Sequence, residues 1–237
     1  MRKVYSLFQV KAIVFLIGIS SFIVTNKSFC KDLSEGFSTT IGRNIEELAL
    51  QHRLAFISGH VAAGIFLYRA GRLSEASKHL MHPVSETHKA ERLGLESEGL
   101  DIERFETISR SIEAGIKASQ ITELLKKAEE NLLAVSKRIT VDDKTVIKFL
   151  LQTAIKEYKA GVPRGKLIAN LGEYQDSWGF VVVARRHAEK LKAETRNSLI
   201  YDLDALLKSW SDGPLEVEEA LPYEKMKMKI TRILNSF

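Results

Sequence analysis

Cysteine is nearly absent from this chain of 237 residues, the single one being Cys30. It falls at the end of an N-terminal stretch with the features of an export signal. Met1-Arg2-Lys3 and Lys11 make a positive start, Ala12 to Val24 run apolar with only Gly18, Ser20 and Ser21 as interruptions, and no acid occurs before Asp32. The apolar core is short of the roughly twenty residues that a membrane span needs, and polar Thr25-Asn26-Lys27 and the small-x-small site Ser28-Phe29-Cys30 follow it. Cleavage is expected after Cys30, leaving residues 31–237 as one helical domain; the competing reading is an uncleaved anchor, since residues 4–10 are also fairly apolar. Phe29 and Lys27 are poor neighbours for lipid attachment at Cys30. A body without cysteine excludes disulfides, thiolate catalysis and sulfur-ligated zinc.

Charge of one sign is also lacking once the leader is set aside. Arg2, Lys3, Lys11 and Lys27 bring four positive charges and no acid, so the formal net charge falls from +5 to +1. Nothing in that balance argues for nucleic acid or for an anionic membrane. Prolines number only four, and Val, Ile and Thr never alternate for long, which excludes a sheet-based body and points to an all-α antiparallel helical bundle. The motifs of common enzymes are missing too: no nucleophile elbow, no glycine-rich phosphate loop, no paired-histidine zinc helix and no Glu-x-x-His of carboxylate-bridged di-iron bundles. The expectation is a non-enzyme with no catalytic residues.

The helical segments follow from caps and breakers. A first helix is predicted from Asn44, with Glu47 as its capping-box partner, to Ala70 before Gly71, with an inner stripe of Leu48, His52, Phe56, Ala63 and Leu67 and His60 at its edge. A second spans Ser74 to Met81, and Pro83 opens a third that fades at Gly94 and Gly99. Asp101 caps a long segment, Ile102 to Arg138, and Thr140 or Asp142 begins a helix that Gly161-Val162-Pro163 ends. Further helices fit Leu167–Lys192, Arg196–Trp210 and Tyr223–Leu234, with Ser211-Asp212-Gly213-Pro214 a loop. No linker divides the body; a subdivision would fall near 139–142. Gly64, Leu67, Tyr68, Gly71, Ala76 and Leu80 resemble the spacing of a tetratricopeptide helix hairpin, although a tight αα-hairpin of any kind wants small residues there.

Five of the six histidines fall between residues 52 and 88: His52, His60, His79, His82 and His88. Imidazole is the commonest protein ligand of zinc, copper and iron, and clustering raises local affinity. Glu75, His79, His82 and Glu86 are spaced for one stripe of a continuous helix, but Pro83 interrupts it, which puts His79 at a helix end, His82 in a corner and Glu86 in the turns beyond. A second segment, Glu173 to Phe180, sets Glu173 and Asp176 one turn apart, with His187 eleven residues further on nearly the same stripe. The opposing readings are solvated histidines in the first segment and, in the second, packing of Tyr174, Trp178 and Phe180 with Gly179 at a close crossing.

The run Tyr158-Lys159-Ala160-Gly161-Val162-Pro163-Arg164-Gly165-Lys166, continued through Asn170 to Glu173-Tyr174-Gln175, resembles periplasmic helical segments associated with high-affinity iron permeases. There a Tyr-x-x-Ala/Gly-Val-x-x-Gly-Lys stretch precedes an Asn and a Glu-Tyr pair. Gly59-His60 is similar to the Gly-x-His-x-x-Glu motif of imelysin-like periplasmic bundles, linked to iron or copper handling, with the residue between Gly and His missing and Ala63 in the place of the glutamate. These resemblances imply metal handling in the envelope and point to Glu173, Tyr174 and His60.

Two functional expectations result. One is a periplasmic or secreted bundle that binds or delivers iron or copper through His52, His60, His79, His82, Glu86, Glu173 and Asp176, with no other cofactor and no stable membrane span once the leader is removed. The other is an envelope adaptor or structural protein whose hairpin offers a groove to a protein partner. The first requires the side chains to converge; the second requires them to be dispersed beside an exposed apolar groove.

Overall fold

The computed structural model describes residues 49–85 and 89–237. The expected leader over residues 1–30, the helix start at Asn44 with Glu47, Leu48, and the candidates Glu86 and His88 lie outside the described residues. Within them the helices are α1 (Leu50–Arg69), α2 (Leu73–Met81), the short α3 (Lys89–Arg92), α4 (Ile102–Glu113), α5 (Ala118–Ser136), α6 (Asp143–Gly161), α7 (Leu171–Ala188), α8 (Ala193–Leu207) and α9 (Tyr223–Leu234). A single 3₁₀ turn, His82–Val84, follows α2.

Helix α1 is apolar nearly all round, the pattern of a helix enclosed on every side. Phe56, Ala55 and Ala62 join a core with α6, α7, α8 and α9, where Leu150, Tyr158, Phe180, Leu203 and Ile230 are buried. Leu54, Ile57, Val61 and Ile65 join a second core with α2, α4 and α5, around Leu80, Phe105, Ile108 and Leu125. The single inner stripe expected for this helix is thus corrected: two apolar faces meet two cores, and α1 is the wall they share.

Close approach at α1 depends on glycine. A Cβ on Gly179 would lie 2.2 Å from the Gly59 carbonyl oxygen, so α1 and α7 cross backbone to backbone at this pair. Gly64 likewise has Leu80 Cγ at 2.8 Å from where its Cβ would stand, which brings α2 against α1 as the second arm of the hairpin. The turn between them is closed by Gly71 at φ +76°, with Arg72 N–H on the Leu67 carbonyl and Gly71 N–H on Tyr68.

The long helix expected over 102–138 is two helices. Gly115, at φ +67°, ends α4 in the same way: Ile116 N–H bonds the Ser111 carbonyl and Gly115 N–H bonds Ile112. The periodicity survives the break because both pieces bury the same kind of face, Phe105, Ile108 and Ile112 in one and Ile121, Leu125 and Leu132 in the other. The segment Ser211–Pro214, expected as a loop, is a short β strand, β1.

The α6–α7 hairpin is built by the Tyr158–Gln175 run. Asp142 caps α6, accepting from Lys144 and Thr145 N–H, and Asn170 caps α7, accepting from Glu173 N–H. The Gly161 carbonyl accepts from both Ala169 and Asn170 N–H, and Tyr174 backbone stands where a side chain on Gly161 would be. Tyr158 donates its hydroxyl to the Leu221 carbonyl at 2.6 Å, and the Lys166 carbonyl accepts from Ala220 N–H, so the strap before α9 is tied to the hairpin loop.

Candidate metal centre

The α1–α7 crossing and the α1–α2 hairpin bring three elements to one point in the seam between the cores. His60 lies one residue beyond Gly59 on α1, His79 is in the last turn of α2, and Asp176 is one turn before Gly179 on α7. Asp176 Oδ1 is 2.5 Å from His60 Nδ1 and 2.9 Å from His79 Nδ1. All three residues are buried, at 3%, 6% and 9% exposure, deep enough for each charge to need a partner. Phe56 and Phe180 wall the other side, both against the His60 ring at centroid distances of 4.7 and 5.2 Å.

Hydrogen-bond accounting assigns the protons. Gln175 donates its amide to Glu75 at 2.5 Å, so its oxygen faces His79 Nε2 at 2.8 Å and accepts from it. His79 Nδ1 donates in turn to the Asp176 carboxylate, and His79 is therefore an imidazolium. Its pKa is raised accordingly: burial alone would lower it, and the Asp176 carboxylate, Gln175 and Glu75 overcome that. Burial would raise the Asp176 pKa, but His60 and His79 hold it far below the usual carboxylate range. His60 donates from Nδ1 to Asp176 and its Nε2, buried, has no hydrogen-bond partner.

A second group adjoins the first. His82, on the 3₁₀ turn, stacks on His60 with ring centroids 3.5 Å apart and planes 13° from parallel, and its Nε2 is 2.7 Å from Glu91 Oε2. Within each of the triads His60–His79–Asp176 and His60–His82–Glu91, one ligand atom per residue lies within 4.8 Å of the others. A cavity of about 330 Å³ lined by Glu75, Lys78, His79, His82, Gln175 and Asp176 leads to this point.

The other candidates go elsewhere. His52 is two turns from His60, about 12 Å along the helix, where it stacks on Phe149 at 4.7 Å; burial lowers its pKa, against Asp142. His187 is on the expected stripe but about 16 Å along α7, bonded to Asp143 at 2.6 Å, and burial lowers its pKa also. Glu173 faces Glu157 of α6 instead of the histidines: burial, a hydrogen bond to Glu173 and the charges of Glu173 and Asp176 push the Glu157 carboxyl well above its usual range. Glu157 and Glu173 thus form a close carboxyl pair on the α6–α7 face, away from the histidines. Tyr174 is core, 5.8 Å from Tyr158 and 6.4 Å from Trp210, its hydroxyl pKa pushed by burial up to about 12.

Three participants were not foreseen. Glu91 meets His82 from nine positions further along the chain, a separation with no helical meaning, and Gln175 is uncharged and lies between the two acids that drew attention. Glu157 sits in an ordinary amphipathic helix, where an acid reads as solvated surface. Only the direct neighbourhood of Asp176 pointed toward Gln175.

On the carboxylate side, the caps, the Gly161 turn, the Tyr158–Tyr174 packing and the facing Glu157 and Glu173 belong to one continuous hairpin with its strap. Residues 140–219 match the iron permease-associated 4-helix bundle domain. The match takes in 80 of the 237 residues and comprises α6, α7, α8 and β1. The matched segment therefore carries Asp176, Gln175, Glu157 and Glu173, whereas His60, His79, His82 and Glu91 lie outside it. It also contains the whole Tyr158–Gln175 run, so the resemblance to segments associated with iron permeases holds over a region longer than the motif. Neither curated proteins nor solved structures provide a match to the chain.

Proposed function

We propose that this chain is an extracytoplasmic iron-binding bundle that takes Fe²⁺ as cargo at His60, His79 and Asp176. The observation that carries the reading is the single Asp176 oxygen accepting from two imidazoles at 2.5 and 2.9 Å. Two N–H protons occupy the place of a cation there; an ion entering would displace them, the His79 proton to solvent and the His60 proton to its free Nε2, and keep the same three donor atoms. Two imidazoles and a carboxylate suit iron(II). They also accept copper(II), whereas copper(I) would want soft sulfur.

Support for iron comes from the domain description matched by residues 140–219, and support for export from the N-terminal leader. The cavity gives an approach lined by polar side chains, among them Lys78 and Glu75, the latter paired with Arg72. Among the described residues no helix is long and apolar enough to cross a membrane, so passage across one would fall to a partner, an iron permease of the envelope being the fitting kind. The role is carriage and delivery, not catalysis. Convergence of His60, His79 and His82 favours this reading over an adaptor; of the exposed large apolar side chains, Leu73 and Ile116 line one cavity of about 460 Å³ beside the hairpin turn, and Leu93, Leu133, Leu167, Tyr201 and Met228 are not part of it.

The test is anaerobic calorimetric titration of the full chain with Fe²⁺, and separately with Cu²⁺ and Zn²⁺. One Fe²⁺ should bind and His60→Ala should abolish it with the fold retained. Absence of Fe²⁺ binding by folded protein would refute the proposal, and selective Cu²⁺ binding would change the cargo.

A further inference from the structure

The second triad, His60–His82–Glu91, has a ligand in common with the first, and that sharing sets how the two can work. We infer that the ion has two alternative positions on this protein, one on His79 and Asp176 and one on His82 and Glu91, with His60 retained in both. The inference rests on the proposed cation binding. It adds the place to which the ion moves.

The argument begins with His60. A neutral imidazole has one ring nitrogen with a lone pair and one with a proton, so it can ligate a single ion at a time, whichever nitrogen it offers. Filling both positions together would require stripping His60 of both protons. The triads are therefore mutually exclusive, and the stoichiometry is one ion per chain. Proximity makes exchange between them short: the His60 and His82 rings lie face to face at 3.5 Å, and each triad is confined within 4.8 Å.

Burial argues in the same direction. His60 Nε2 is buried without a hydrogen-bond partner, an unfavourable state for a polar atom that a bound ion would relieve. Glu91 is 5% exposed, unusual for an acid on a four-residue helix, and His82 Nε2 meets it at 2.7 Å. The second position sits off the iron permease-associated segment, on the 3₁₀ turn and α3. Exchange needs no new atoms: as the ion leaves, His79 recovers a proton from solvent through the cavity, and a neutral His82 exchanges the proton on its ligating nitrogen for one on the other ring nitrogen.

Co²⁺, whose visible absorption reports its ligands, is the probe, titrated into the full chain and into His79→Ala, Glu91→Gln and the double variant, each checked for native helicity. Wild type should bind one Co²⁺. His79→Ala should still bind one, on the order of 10- to 100-fold more weakly, with a changed spectrum, and adding Glu91→Gln should remove that residual binding. If His79→Ala fails to fold, His79→Gln takes its place. Two Co²⁺ per wild-type chain, or residual binding indifferent to Glu91→Gln, overturns the two-position inference and leaves cation binding standing. No binding of Co²⁺ or Fe²⁺ by wild type overturns both.

Discussion

Asp176 accepts from two buried imidazoles through one oxygen, so Asp176→Ala strands two donors and an imidazolium at once. Loss of one partner from such a buried pair costs about 3–5 kcal/mol, and urea unfolding of the metal-free variant should show a loss of that order. The pH dependence has two limbs. The His79 pKa is raised above 6.5, so its contribution to stability is complete below 6.5 and is lost as pH rises through the raised value. The Asp176 pKa is depressed, so its contribution is present above 3.8 and is lost only as pH falls through the depressed value. Wild type should therefore exceed His79→Gln in stability by more at pH 5.5 than at pH 8.5, by urea unfolding at both. An unchanged or reversed difference would contradict His79 as an imidazolium.

At the scale of elements, the site depends on how closely helices can approach. Gly179→Ala would drive a methyl into the Gly59 carbonyl, a backbone atom that cannot rotate away. Overpacking of this kind costs about 1–3 kcal/mol, and the variant should lose thermal stability together with metal affinity, read by thermal unfolding and titration. Asp142→Ala removes the cap of α6 and should lower the thermal midpoint, with the site's affinity nearly unchanged, since the cap lies against Gln51, nine residues before His60 on α1. Caps and breakers were the legible part of the fold: Asp101, Asp142, Gly71 and the 161–163 turn bound helices where the sequence predicts them. The break at Gly115 was hidden because Ile112 and Ile121 keep an apolar rhythm across it. Similarly, the Glu173–Asp176 pair is visible as one face, but their spacing says nothing of Glu157 on the neighbouring helix, which draws Glu173 away from the histidines.

For the whole molecule, the arrangement is two apolar cores with α1 between them and a polar point in their seam. His60, His79 and His82 were readable because histidine clusters stand out in a sequence, and Asp176 because it accompanies an aromatic run. Which of the candidates meet could not be read, since that depends on the Gly59–Gly179 and Gly64–Leu80 approaches between distant segments. Because the proposed ligands come from both sides of the seam, an ion bound there would tie α2 to α7. At a free concentration a hundredfold above Kd, binding should stabilise the protein by about 2.7 kcal/mol, with slower amide exchange in both helices. Protection confined to α6 and α7 would place the ion at the Glu157–Glu173 pair.

X-ray absorption at the iron edge of the Fe²⁺-loaded full chain tests the central claim most directly, because imidazole rings leave outer-shell scattering that carboxylates do not. The account predicts two imidazoles in the first coordination shell with oxygen ligands completing it. An oxygen-only shell in the wild type would contradict it.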